Sequence, residues 1–120
     1  LLVPLAILVT ARQWNQQVEW AIHAPIAAQV GVPPDVINAI AHRRRPEGML
    51  VDESVVHDFC LELQQNKSVS DHTYGEALAL FGEQGVVDLM GLTGYYTFLA
   101  MVMNTAQTEV PVSSAAALPD

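Results

Sequence analysis

Two segments constrain the fold more than anything else in the chain: LAILVTARQWNQQVEWAIHAPIAAQV (5–30) and VVDLMGLTGYYTFLAMVM (86–103) are apolar around most of a helical circumference. A helix without a polar face has to be buried. In 120 residues few other elements remain to cover two such helices, and burial by neighbouring copies solves the problem. A homo-oligomer is the expectation.

The remaining segments also read as helices. The first apolar run should form one helix from Leu5 to about Val30, kinked after His23 by Pro25 and closed by Gly31. A short helix follows in VPPDVINAIAH, with Pro34 in its first turn and Asp35 near its positive end. Asp52 reads as the N-cap of Glu53 to Gln65, whose Val55, Val56, Phe59, Cys60 and Leu63 make one apolar face. Ser70 caps a helix over Asp71 to Phe81 that Gly82 ends, and the last helix runs from about Gly85 to Asn104. No segment alternates in the manner of a strand, so the fold class is all-α, with about five to six helices. The chain divides into one helical domain, 1–108, and a C-terminal tail, 109–120, expected to be extended or loosely attached.

Composition narrows the function. Hydrophobic residues make up 51% of the chain, enough for a core, and 13 acidic against 5 basic residues give a formal charge of −8. That charge opposes nucleic acid and anionic lipid surfaces. The apolar run at 86–103 is long enough to suggest a membrane span, but no basic flanks mark an orientation, and the expectation is a cytoplasmic protein without a membrane partner. Leu1 to Ala11 runs directly into a patterned helix and reads as part of it rather than as a leader. Cys60 falls at core spacing, where an inert buried thiol is expected.

One stripe on the first apolar helix is polar. Steps of three and four residues connect Arg12, Gln16, Glu19 and His23. Glu19 and His23 stand at i, i+4, where a carboxylate can hydrogen-bond an imidazole, raise its pKa and fix its tautomer, as general acid-base catalysis requires. The same pair could equally be a satisfied polar contact at a subunit interface. No metal centre is expected, because His42, His57 and His72 lie in other elements, and His57 and Asp58, adjacent in sequence, should point apart. His72, at a helix start, should be solvated. Arg43, Arg44 and Arg45 fit either an acidic ligand or a solvated helix end. Tyr95 and Tyr96 could bring a phenol to a pocket or pack in the core.

The segments LAILVTARQWNQQVEWAIHAPIAAQVGVPPDVINAIAHRRRPEG, DFCLEL and SDHTYGEALALFGEQGVVDLMGLTGYYTFLAMVMNT, in this order and spacing, resemble the carboxymuconolactone decarboxylase family, which includes the alkyl hydroperoxidase D-like proteins. The resemblance implies an oligomeric all-helical bundle. In the hydroperoxidase branch the long helix carries Cys-x-x-Cys-x-x-x-His with a glutamate upstream. Here His23 matches the histidine, but Gln16 and Glu19 replace the cysteines and Pro4 stands near the glutamate's place. Thiol-based peroxide reduction needs an attacking and a resolving thiol, so it is not expected. The resemblance to the cysteine-free branch implies a cofactor-free decarboxylase acting on a small carboxylated lactone or related acid. In it His23 would be the proton donor and Glu19 its orienting partner, with Arg12, Gln16, Trp20 and Tyr96 as substrate-binding residues and Arg12 or the Arg43 to Arg45 cluster as carboxylate clamp. The competing reading is an oligomeric binding or scaffold protein with a vestigial pocket.

Overall fold

The computed structural model describes residues 2–110 and 117–119. Five helices form in chain order: α1, Leu2–Gln13; α2, Gln17–Gln29; α3, Pro34–Ala41; α4, Val51–Asn66; and α5, Asp71–Ala106. There is no strand among the described residues.

The first apolar run is two helices, not one. α1 ends in a Schellman turn: Gln16 N donates to Ala11 O at 2.9 Å, Asn15 N donates to Arg12 O at 3.1 Å, and Asn15 takes φ 50°. Asparagine tolerates this left-handed position better than most side chains. Gln16 then starts α2, its side-chain carbonyl accepting from Val18 N at 2.7 Å and Glu19 N at 3.2 Å. These bonds satisfy two of the four amide groups a helix start leaves open. α2 continues through Pro25 to Gln29, and Gly31 at φ 102° closes it with a second Schellman turn, Val32 N to Ala27 O at 2.9 Å and Gly31 N to Ala28 O at 3.2 Å.

α1 occupies the centre. Eight consecutive residues, Leu5 to Arg12, are buried, as a helix with no polar face must be, because α2, α3, α4 and α5 all pack around it. Phe59 and Cys60 of α4 and Leu5, Leu8 and Val9 of α1 lie in the deepest part of the core. Removing side chains of this kind from water stabilises the fold by about 1.5–3 kcal/mol each.

Two expectations, the start of α4 and the tail, change in detail. α4 starts one residue before Asp52: Leu50 is the N-cap, its amide donating to the Glu53 carboxylate at 2.8 Å, while Asp52 accepts from Glu53 N at 2.8 Å within the first turn. The last two expected helices both form: they meet at a break at Gly82 (φ 72°, ψ 178°), where the first was expected to end, and are labelled together as α5. Ser70 caps it as expected, its hydroxyl accepting from Thr73 N at 3.2 Å. The tail is held at Leu118, which is buried and exchanges two hydrogen bonds with the Gln17 side chain, at 2.8 and 3.1 Å. The expectation of an extended tail otherwise falls largely on 111–116 and 120, outside the described residues.

The second apolar helix is not central. Beyond Gly82, the buried residues Val86, Leu89, Thr93 and Ala100 form one stripe of α5. Val87, Met90, Tyr95, Phe98, Met101 and Val102 face outward, with Phe98 61% exposed. By length and composition α5 is apolar enough to cross a membrane, and only 22% of its most apolar window is buried within the chain.

Candidate functional site

The break at Asn15 divides the polar stripe. Glu19 and His23 keep their i, i+4 relation on α2, whereas Arg12 belongs to the last turn of α1 and Gln16 to the cap between them. Gln16 is fully engaged in structure. Besides capping α2, its amide donates to Asn104 Oδ1 at 2.7 Å, and Asn104 in turn donates to Trp14 O at 2.9 Å, tying α5 to the turn. Trp20 is a core residue, 2% exposed. Neither supports a substrate-binding role.

Glu19 is the most unusual group in the chain. It is 2% exposed, and neither carboxyl oxygen has a hydrogen-bond partner among the described residues. A buried charge without partners is costly, and the group responds by holding its proton. Burial raises its pKa from 4.5 to about 7. The expected hydrogen bond to His23 is therefore not made. Its consequence for the imidazole reverses as well, because burial lowers the His23 pKa.

His23 is half-buried and meets α5 through Tyr96, edge to face, with ring centroids 5.4 Å apart. Tyr95 packs edge-on against Tyr96 at 5.2 Å. Burial first, then Tyr95 and Glu19, raise the Tyr96 phenol pKa. The Glu19 contribution places the carboxyl within electrostatic range of the phenol. Glu19, His23 and Tyr96 thus form one group, with the carboxyl sealed beneath a histidine and a tyrosine that solvent reaches. Near neutral pH it contains a carboxyl that can hold or release a proton, a mostly neutral imidazole and a protonated phenol.

The arginines lie elsewhere. Arg12, Arg43, Arg44 and Arg45 line a cavity of about 80 Å³ with Val9, Gln13, Ile40, His57, Leu61 and Gln65. None of Glu19, His23, Trp20 or Tyr96 lines it, so the expected clamp and the acid-base pair are separate. His57 and Asp58 do not point apart: the ring Nδ1 lies 2.9 Å from Asp58 Oδ1. Arg45 also pairs with Asp58, at 3.2 and 3.0 Å. Sequence spacing missed this cluster because its members come from α1, α4 and the turn after α3, although the Arg-Arg-Arg run gave a signal.

Other sequence candidates are structural. Cys60 is fully buried, its sulfur 3.3 Å from the Thr93 hydroxyl, and burial pushes the thiol up to about 11. His72 pairs with Glu76 at 2.7 Å on an exposed face. No group of three or more metal-ligating side chains comes together among the described residues. The chain matches no protein-family model, no curated protein and no solved structure.

Proposed function

We propose that the chain is a cofactor-free acid-base catalyst of the carboxymuconolactone decarboxylase type, acting on a small carboxylated lactone or related acid. The observation that carries this reading is Glu19, buried without a hydrogen bond one helical turn below His23, with its pKa raised to about 7. A group placed at such cost in stability, and titrating near neutrality, is what proton transfer needs. The family resemblance in the sequence of segment 5–30 and the cysteine-free Glu-x-x-x-His pattern support it.

In this reading the roles of the pair shift. Decarboxylation breaks the bond between the carboxylate carbon and the ring, carbon dioxide leaves, and the electron pair remains as a dienolate that must be protonated on carbon. His23, at the open end, delivers that proton as imidazolium. Glu19, behind it, gives its proton to recharge the ring and regains one from solvent through His23 before the next turnover. The Tyr96 phenol, held protonated, donates a hydrogen bond to the enolate oxygen as charge develops. No step needs an oxidant or a metal.

The unpartnered apolar face of α5 supports a homo-oligomer, since an exposed row including Val87, Tyr95, Phe98 and Val102 is better covered by a second copy than left in water; an alkyl hydroperoxidase D-like architecture and a cytoplasmic setting belong to the proposal through the resemblance alone. That face also favours the non-enzyme scaffold reading equally, so turnover decides between them. Incubation with carboxymuconolactone and related lactone and β-keto acids, followed by loss of ultraviolet absorbance, should show decay in the wild type. His23→Gln should abolish it with the oligomer intact, and Tyr96→Phe should slow it about tenfold or more. Undiminished decay with His23→Gln removes the acid-base assignment. No decay with any of these acids in the wild type leaves the scaffold reading in its place.

A further inference from the structure

The chain has five basic residues in a net charge of −8, and four of them, Arg12, Arg43, Arg44 and Arg45, line one cavity. We propose that this basin, at the joined ends of α1 and α3 and beside α4, is a binding site for a compact oxyanion, a carboxylate or phosphate group, distinct from the Glu19 and His23 site.

The backbone builds the basin deliberately. α3 ends in a Schellman turn, Arg44 N to Ala39 O at 2.8 Å and Arg43 N to Ile40 O at 3.1 Å, and Arg43 occupies its left-handed position at φ 59°. Glycine is the usual residue there, and an arginine is disfavoured. The strained placement brings the Arg43 guanidinium to Asn15 Oδ1 at 2.5 Å, the left-handed residue that ends α1, and Arg12 donates to the same oxygen at 3.4 Å. Two helix ends are thereby fastened together with their cations on one side.

Arg45 and His57 are held from the opposite wall by Asp58, whose two oxygens accept from both, and His57 is 4% exposed. Arg44 lines the cavity with no side-chain hydrogen bond or ion pair among the described residues.

Structural neutralisation does not account for the charge. The C-terminal ends of two helices contribute roughly half a negative charge each, and Asp58 contributes one. Arg43, Arg44 and Arg45 alone exceed this by about one positive charge. The guanidinium fork matches the oxygens of carboxylate and phosphate, and Gln13 and Gln65 add amide donors at the rim. A volume of about 80 Å³, the space of roughly two to three waters, takes the anionic group alone. Val9, Ile40 and Leu61 add apolar side chains to the lining beneath Arg43, Arg44 and Arg45, which are themselves exposed and so open to a ligand from solvent. The rest of the ligand stays outside, so the site reads the oxyanion and not the molecule carrying it.

The test is isothermal titration calorimetry of the full chain with inorganic phosphate and, separately, with succinate, at constant ionic strength set with sodium chloride. Saturable binding of either anion supports the site, and the arm that binds identifies phosphate or carboxylate as its ligand. Arg44→Gln, which breaks no described contact, should weaken binding about tenfold or more, and Arg43→Gln should do the same. Lys67→Gln, which removes the one basic residue outside the basin, should leave it unchanged. The absence of saturable binding in both arms, or equal weakening by Lys67→Gln and Arg44→Gln, overturns the proposal. The readout is binding and not turnover, so it stands or falls apart from the acid-base function.

Discussion

Glu19 makes the stability of this protein depend on pH in an unusual direction, and Glu19→Gln isolates the effect. In the unfolded chain the carboxyl titrates near 4.5, and in the folded chain near 7. Below about pH 4.5 both states are protonated and Glu19 contributes nothing. Between the two values the unfolded chain releases its proton while the folded chain keeps it, so stability falls as pH rises, by about 1.4 kcal/mol for each pH unit. Above about pH 7 the penalty is complete and constant, roughly 3 kcal/mol in all. Other groups act in or below the same range. The depressed pKa of His23 makes stability rise toward pH 6.5, and the lowered carboxyls of Asp58 and Glu62 contribute stability that is lost only as pH falls below their unfolded values. These effects are common to both proteins. Urea unfolding of wild type and Glu19→Gln at fixed protein concentration, from about pH 4.5 to pH 8, should therefore show the difference between them grow by about 3 kcal/mol in favour of the glutamine variant. The offset at low pH absorbs whatever the buried amide itself costs. Parallel pH profiles would refute the claim that Glu19 is buried without a charge partner, and with it the proton store in the proposed mechanism.

Gln16→Ala removes the cap of α2 and the bond to Asn104 together, and should cost about 1–2 kcal/mol in chemical denaturation, against a few tenths for an exposed Gln29→Ala change. The Cys60 thiol, raised to about 11 and fully buried, should not react with a disulfide reagent at neutral pH until the chain unfolds, and rapid modification of the native protein would show that the α4–α5 contact opens. Phe98→Glu, on the outward face of α5, should reduce the sedimenting mass to that of a smaller species while the circular dichroism stays helical, and an unchanged mass would place any subunit contact elsewhere. Tyr96→Phe should preserve the edge-on ring contact with His23, so its melting temperature should stay within a few degrees of wild type.

What the sequence showed depended on the range of the interaction. Helices with a local signal were legible: Pro34 and Asp35 begin α3, Ser70 caps α5, Gly31 closes α2, and Gly82 interrupts α5, each by an effect confined to a few residues. The placement of Glu19 and His23 at i, i+4 on one helix was legible for the same reason, although the hydrogen bond expected between them is not made. The end of α1 was missed because its apolar pattern continues through the turn, although Gln16 followed three residues later by Glu19, ahead of an apolar run, has the spacing of a helix start. Spacing could not reveal that the Glu19 carboxyl would be left without a partner, since that depends on what α5 brings against α2. Nor could it show that α1 would take the centre while α5 kept an apolar face outward. Both helices are apolar all round in sequence, and only the order in which the others pack decides which is enclosed.

The turn at Asn15 and Gln16 links the two sites that the broken stripe separates. Asn15 Oδ1 accepts from Arg12 and Arg43 at the basin, and the next residue, Gln16, holds the amide of Glu19 at the start of α2. Any shift of Arg43 toward the anion of the proposed basin would act on a turn whose geometry fixes the first turn of α2, and that turn carries the carboxyl. Because Gln16 also bonds Asn104 near the end of α5, the turn is braced on the side opposite the arginines. Two anchors on a three-residue connection leave it little freedom to move without changing one of them. The polar residues on an otherwise apolar segment thus have different work on either side of the break: Arg12 belongs to an anion basin, Gln16 joins the helices, and Glu19 with His23 forms the group that can move a proton.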